Sequence, residues 1–337
     1  MGKLNKNPLR NFSVIPVGLR DYTVRRLLIA CPTLIGIMAT VFLIVHSAPG
    51  NPITNVLGMR PGIDFPLKDM QRIIEQYGLN RPLYIQFIDW LSDLSRGHLG
   101  YSYVYNKPVN SLILTAARNT LILQGASFGL SLALAIPAGV IAASKQYSKA
   151  DYATSIFSSF FWAMPSFWLG LELMLIFGVH LKILPTSGLA PPGQQPTIFS
   201  VMRHLILPAL TQGLHGTAFL ARLTRANMLE VLRQDYITTA RAKGLKERIV
   251  IYRHALRNAL LPVTTLIGVY VGWLIGGSVM IEPVFSWPGI GMLVVDAAKF
   301  RDYPLVMGVT LVAAFSMVIA TLVTDIVYAM LDPRIKY

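Results

Sequence analysis

Three carboxylates of this 337-residue chain, Glu172, Glu282 and Asp325, lie in or at the ends of long apolar runs. An ionisable group in such a position is costly, so it marks either a pathway or a pairing. Glu172 has two readings: contact with a substrate amine in a pore, or an interhelical hydrogen bond. Glu282 sits where an apolar run meets a polar loop, which suits a pore mouth or a contact with an outer partner. Asp325 suits a helix end. The six histidines, His46, His98, His180, His204, His215 and His254, lack metal-ligand spacing such as i, i+4. The only Gly-Lys pair is Gly2-Lys3, so no phosphate-cradling loop is present. Ser, His and Asp occur without a nucleophile elbow. Cys31 is the single cysteine, which excludes an internal disulfide and reads as a small buried hydrophobe. The residues thus point away from catalysis and towards passage of a solute.

A second group of residues suggests contact with a partner. Residues 226–258 read ANMLEVLRQDYITTARAKGLKERIVIYRHALRN. No breaker interrupts 226–243, and Gly244 then offers a helix stop. Met228, Leu229, Val231, Leu232, Tyr236, Ile237 and Ala240 give this helix an apolar side, with Arg233, Arg241 and Lys243 elsewhere. A second amphipathic stretch runs from there to Pro262. An exposed apolar helix face needs a partner. The competing reading is a loop that packs on its own bundle.

The elements that hold these groups follow from hydropathy. The chain is 53% hydrophobic and 14% charged, well below the charge of soluble domains. A membrane-crossing helix needs about 20 mostly apolar residues. Runs 27–45, 119–144, 152–171, 259–281 and 303–324 contain no Asp, Glu, Lys or Arg. A sixth, 204–221, has two histidines and no formal charge. The third is expected to continue past Glu172 to about Val179. In lipid the backbone must satisfy itself, so such runs are helices. The first is too long for a cleaved leader, and more spans follow.

The net charge of +14 suits either nucleic-acid binding or the Lys/Arg excess of cytoplasmic loops. Its distribution favours the second. Segments 1–26, 144–151, 222–258 and 331–337 hold 19 of the 30 basic residues, whereas 48–115 is nearly neutral. Six spans with both termini cytoplasmic account for this. Stretch 48–115 exceeds a simple loop. Residues 66–78 put Met70, Ile73, Ile74 and Tyr77 on one side, and 82–95 do likewise with Leu83, Phe87, Trp90, Leu91 and Leu94. They predict a small helical cap, ended by the Gly-rich piece Arg96 to Tyr101. Gly268, Gly272, Gly276 and Gly277 suit close helix packing or a pore lining. Trp273 and Trp287 suit interface anchors, and Trp273 joins Glu172 and Glu282 as a candidate for the substrate pathway.

The run DYITTARAKGL (235–245) followed by HALRNALLPV (254–263) resembles the cytoplasmic loop of binding-protein-dependent ABC importer permeases of the dipeptide, oligopeptide and nickel type. That loop's Glu-Ala-Ala positions are occupied here by Thr238, Thr239 and Ala240, with Gly244 at the glycine. The glutamate is therefore missing, and the spacing from Gly244 to Leu261-Pro262 is longer than the generic pattern. Further resemblance lies in HSAPGNP (46–52), YGLNRPL (77–83), Gly97 to Ser102 with His98 in place of an acid, EPVFSWPGIG (282–291) and DPRIKY (332–337). It covers about residues 22–337.

The resemblance implies an all-α integral membrane protein with six transmembrane helices. An extracytoplasmic helical insertion would follow the first span, and a cytoplasmic coupling-helix loop would lie between spans four and five. The expected division is an N-terminal extension 1–22, a first span with cap 23–115, a permease core 116–331 containing loop 226–258, and a tail 332–337. The resemblance also implies two ATP-binding partner subunits holding ATP and Mg, a second homologous permease and an extracytoplasmic solute-binding protein. This chain would bind no cofactor, metal or nucleic acid. It would sit in the inner membrane of a bacterium or archaeon. Coupling would fall to Asp235, Tyr236, Thr238, Thr239, Ala240, Arg241, Gly244, His254 and Asn258. Tyr236 is the expected anchor, Ala240 permits close approach and Gly244 makes the turn. Cargo stays open among dipeptides, longer peptides, nickel chelates and glycosides. A secondary transporter or a protein-export component are the rival classes.

Overall fold

The computed structural model describes residues 17–47, 80–263, 270, 274 and 276–331, the first and last few of these by backbone alone. Helices dominate, and among the described residues the only β pairing is an isolated bridge between Tyr101 and Pro108. In chain order the helices are α1 (Val17–Ser47), α2 (Leu83–Ser95), α3 (Val109–Ser144), α4 (Lys149–Ala163), α5 (Ser166–Leu173), α6 (Ile198–Leu232), α7 (Asp235–Ala242), α8 (Glu247–Ile249), α9 (Leu256–Ala259), α10 (Ile281–Val284), α11 (Ile290–Lys299) and α12 (Tyr303–Leu331). π-helical turns continue α5 through Met174–His180 and join α8 to α9 through Val250–Ala255.

Among the described residues three helices are long and apolar enough to cross a membrane: Leu28–Ser47 of α1, α3, and Tyr303–Thr324 of α12. Their exposed faces are apolar, as at Leu114, Leu121, Ile141 and Phe315. The expected third run is not one straight helix. Lys149–Ala163 and Ser166–His180 qualify only together, and they meet at 101°. Pro165 is the cause. A residue before proline avoids the helical region, and Met164 accordingly sits extended at φ −79°, ψ 130°. Proline also leaves the Phe161 carbonyl without its i+4 donor. His215 of α6 supplies that donor through Nδ1 at 3.1 Å, while its ring stacks on Trp162 at 5.0 Å. The bend is therefore braced from a neighbouring helix.

The sixth run lies within α6, which is much longer than 204–221 and whose middle is diluted by His204, Gln212 and His215. Residues 264–269, 271–273 and 275 of run 259–281, with Gly268, Gly272 and Trp273 among them, lie outside the described residues, as do 66–78 and the tail 332–337.

α3 and α6 are the most intimate pair. A Cβ on Gly139 would stand 2.6 Å from Thr224 Cβ, and one on Gly213 would stand 2.7 Å from Leu130 Cδ2. Small residues let the backbones approach where the solvent is lipid and no hydrophobic force gathers helices.

The two ends of α3 define two poles. At its start Val109, Ile113 and Ala116 pack with Ile290, Ala297, Leu305 and Val309. Beside this pole α2 forms as its spacing predicts, with Phe87 and Trp90 against Met38, Phe42 and Met307. Asp302 ties the pole together. Its carboxylate accepts from Ser102 Oγ, from the amides of Tyr103 and Val104 at 3.2 Å, and from Leu305 N in the first turn of α12. At the other end of α3, Val140 and Ala143 pack with Met228, Ile237, Ala240, Val250, Ala255 and Ala259. Residues 97–108 and 285–303 thus share one pole, and 144–151 and 228–259 share the other.

Candidate coupling surface

The stretch expected as one helix over 226–243 is two. α6 ends at Leu232, Gln234 turns extended at φ −75°, ψ 148°, and α7 begins at Asp235. The geometry of the core requires this break. At 100° per residue, Met228 and Ile237 would lie on opposite faces of a continuous helix. Both are fully buried in the same cluster, and the bend at Arg233–Gln234 brings them there.

α7 is consequently two-faced. Ile237 and Ala240 point into their own bundle, with Ala240 only 7% exposed. Ala240 serves close approach to Val140 and Ala143 rather than an open surface. Asp235, Tyr236, Thr238, Thr239 and Arg241 face outward. Asp235 occupies the first turn, where a carboxylate suits the helix dipole. Thr239 Oγ1 donates to Asp235 O at 2.9 Å. The Tyr236 hydroxyl accepts from Asn258 Nδ2 at 2.8 Å, and Asn258 Nδ2 also reaches His254 O at 3.1 Å. Tyr236, His254 and Asn258 thereby join α7 to the π turn and α9.

Gly244 closes α7 as expected. It sits at φ +77°, its amide donates to Arg241 O at 2.9 Å, and Leu245 N donates to Ala240 O at 3.4 Å. This pair of bonds is the glycine-terminated helix stop, and it satisfies carbonyls that the helix leaves open. Nothing lies within 4 Å of a Cβ placed on Gly244, so backbone angle alone selects glycine. Across the turn Arg241 forks onto Glu247 at 2.7 and 3.1 Å. That ion pair holds the Glu247 carboxyl below its ordinary range.

Beyond the turn the structure adds residues the sequence reading passed over. Leu245, Ile249 and Tyr252 are exposed, with Tyr252 at 54%. Their i, i+4, i+7 spacing is the available signal. Tyr236 is exposed as well, and the exposed cations Arg241, Lys243, Lys246, Arg248 and Arg253 are interspersed with these apolar groups along 236–253. A second addition is Asp151, only 3% exposed, which Arg225 grips through Nε at 2.5 Å and Nη2 at 2.8 Å. Asp151 also accepts from Tyr147 N, so this pair pins the 145–151 loop to the end of α6.

Glu172 and Glu282 sit in different surroundings. Glu282 is fully buried. Its Oε1 accepts from Thr120 Oγ1 at 2.9 Å and Ser278 N at 3.3 Å, and its Oε2 from Gly291 N at 2.7 Å and Met292 N at 3.2 Å. This carboxylate clasps the 277–292 stretch to α3. Glu172 is half-buried on α5. Trp273 lies outside the described residues, whereas Trp287 is fully buried and donates from Nε1 to Asn119 O at 2.9 Å.

Residues 135–337, more than half of the chain, match the family model described as binding-protein-dependent transport system inner membrane component. Over 317 residues the chain is 45% identical to the oligopeptide transport system permease protein AppB of Bacillus subtilis, covering 94% of this chain and 99% of that one. It is 38% identical to the dipeptide transport system permease protein DppB of Alkalihalophilus pseudofirmus, with 94% and 99% covered. It is also 38% identical to the glutathione transport system permease protein GsiC of Escherichia coli, with the same coverage. The chain therefore belongs to the inner-membrane permease components of binding-protein-dependent transport systems.

Proposed function

We propose that the chain forms half of the membrane path of an ATP-driven importer for peptides handed over by an extracytoplasmic binding protein. The observation that carries the reading is the exposure of Tyr236, Leu245, Ile249 and Tyr252, apolar groups interspersed with cations along 236–253 at the pole where α3 ends. We read them as one solvent-facing ridge, which calls for a protein partner. The peptide-transport names of relatives at 38–45% identity support the cargo class.

On this reading two ATPase subunits bind ATP and Mg, and one of them grips the ridge. Closure of the ATPase pair shifts α7 and its turn. The buried faces of Ile237, Ala240 and Val250 pass that shift to α3 and α6, so the bundle rocks between two packings. A second homologous permease completes the path. The chain crosses the inner membrane of a bacterium or archaeon six times, with the ridge and both termini in the cytoplasm. The divisions 1–22, 23–115, 116–331 and 332–337 then serve as extension, first span with outer cap, permease core and tail. Asp235, Thr238, Thr239 and Arg241 line the docking face, while Ala240, His254 and Asn258 support it from behind. Glu172 and Trp273 stay candidates for the path, and Glu282 for its outer mouth.

The test is reconstitution with the cognate binding protein and ATPase subunits in vesicles. ATP-dependent uptake of labelled di- or oligopeptides is expected, and Ile249→Asp with Tyr252→Glu should release the ATPase subunits while the permease pair stays assembled. Uptake of nickel chelates without peptides would replace the cargo. Retention of the ATPase subunits by the double variant would reject the docking face.

A further inference from the structure

A polar pocket of about 180 Å³ lies among the middles of α3 and α6, lined by Gln124, Ser127, Ser166, Gln212, His215 and Tyr270. Gln124 is the sixteenth of the 36 residues of α3, so the pocket sits near the centre of a membrane-length helix. Among the described residues no lining side chain is an acid, lysine or arginine. Gln212 Nε2 donates to Gln124 Oε1 at 2.7 Å, yet among the described residues no donor reaches the enclosed Gln212 Oε1. An acceptor left open in a buried place costs about 1–3 kcal/mol, so it needs a use. His215 adds a second acceptor. Its Nδ1 must donate to the Phe161 carbonyl, which in the neutral ring leaves Nε2 with a lone pair.

The pocket opens at the bundle surface, because Phe128, Gln212 and Tyr270 are only half-buried. Amides and hydroxyls at this depth do not face hydrocarbon; they face a wet cavity or another protein surface. Resting on the importer reading above, the geometry points to this pocket as a wall of the cargo path that recognises peptide-bond amides. A peptide unit offers an N–H and a C=O side by side. The N–H meets Gln212 Oε1, and the C=O meets a donor among the Gln124 amide and Tyr270 hydroxyl. The absence of charged lining groups makes the contact indifferent to the cargo's side chains and net charge. The volume is well below the roughly 300–1,000 Å³ of sites that engulf a small molecule. The pocket therefore holds about one peptide unit at a time and acts as a stepping point, not a storage site.

The experiment uses the reconstituted transporter with binding protein and ATPase subunits. Wild-type vesicles must first show ATP-dependent peptide uptake; without it the importer reading itself fails, before the pocket is in question. Gln212→Leu and Gln124→Leu are then compared with wild type. Uptake per ATP should fall about tenfold, the effect of one unmade hydrogen bond to a buried group. Cargo affinity of the binding protein and its stimulation of ATP hydrolysis should stay within about twofold. A second readout places Gln212→Cys in a Cys31→Ala background and treats it with a water-soluble thiol reagent. Reaction in at least one state of the ATP cycle, slowed by peptide, is expected. Two results would overturn the pocket while leaving the importer intact. One is wild-type uptake per ATP in both leucine variants. The other is a Gln212→Cys thiol inert in every state because the second permease covers it.

Discussion

Arg225 and Asp151 meet in a two-pronged ion pair, at 2.5 and 2.8 Å, between the last turns of α6 and the first turn of α4. The Asp151 side chain is only 4% exposed and that of Arg225 26%, so water screens the pair poorly. Removing one partner strands a buried charge, which costs about 3–5 kcal/mol. The partial exposure of Arg225 argues for the lower end of that range. Asp151→Asn should therefore lower the midpoint of thermal unfolding in detergent clearly. Arg225→Lys keeps the charge and loses the fork, so it should cost less. A double variant, Asp151→Asn with Arg225→Gln, should be less harmful than the sum of its singles. Strict additivity would show that the two groups are not coupled.

The clasp at Glu282 makes a similar but sharper prediction. Both oxygens accept hydrogen bonds, two of them from consecutive amides at Gly291 and Met292. Glu282→Gln keeps the size and replaces one acceptor by an NH2 donor, which must then face donors. Thr120→Val removes the group that also accepts from Ile290 N at 2.8 Å. Each should cost about 1–3 kcal/mol, read from thermal unfolding. Gly291→Ala should be worse than either, because its Cβ would overlap the Ser278 backbone. A fully stable Gly291→Ala protein would contradict the close approach.

The Arg241–Glu247 pair calls for a small, directional pH effect. The hydrogen bond from Arg241 holds the Glu247 carboxyl below its ordinary value. A depressed carboxylate lends stability above its unfolded pKa of about 4.3 and loses it as pH falls through the folded value. Stability from this pair should thus be flat above about pH 5 and decline below it. Side-chain exposures of 44% and 55% keep the whole effect within the roughly 0–1 kcal/mol of surface pairs. Glu247→Gln should flatten that decline by no more than this amount, measured by unfolding against pH at low salt. An increase in stability on acidification would reverse the assignment.

The parts of this fold that follow local rules were legible in the sequence. α3 and α12 contain the uncharged runs 119–144 and 303–324, whose length leaves helix as the only form in lipid, and α2 was marked by the spacing of Phe87 and Trp90. The bend at Met164–Pro165 was hidden because proline is tolerated inside membrane helices and reads as an interruption only when its neighbour turns extended. The break at Gln234 was hidden for another reason. Nothing at Arg233 or Gln234 breaks a helix, and only the shared core of Met228 and Ile237 demands it. Asp151 and Arg225 are 74 positions apart, and Gln124 and Gln212 are 88 apart, so no spacing rule connects either pair. At the coupling surface Gly244 was plain, since a helix that ends in mid-chain needs a left-handed residue. For Ala240 the sequence left two readings, close approach to a partner or packing on its own bundle, because composition does not tell which face of α7 the bundle takes.

Gly244 separates the shape of the coupling turn from its contacts. At φ +77° a side chain costs about 1–2 kcal/mol through its clash with the backbone, more for a β-branched one. No atom stands within 4 Å of the added Cβ, so that cost is entirely conformational. Gly244→Val relieves it by moving the turn, which carries Leu245 and Ile249 away from Tyr236. Gly244→Asn adds bulk but tolerates the left-handed region. If the ridge works as a lever, Gly244→Val should keep the assembled complex and its ATP hydrolysis while uptake per ATP falls severalfold. Gly244→Asn should transport nearly as wild type. Equal loss in both variants would mean that bulk at the docking surface matters instead of turn geometry. Unchanged uptake in Gly244→Val would remove the lever altogether, because the contacts it displaces would then carry no motion.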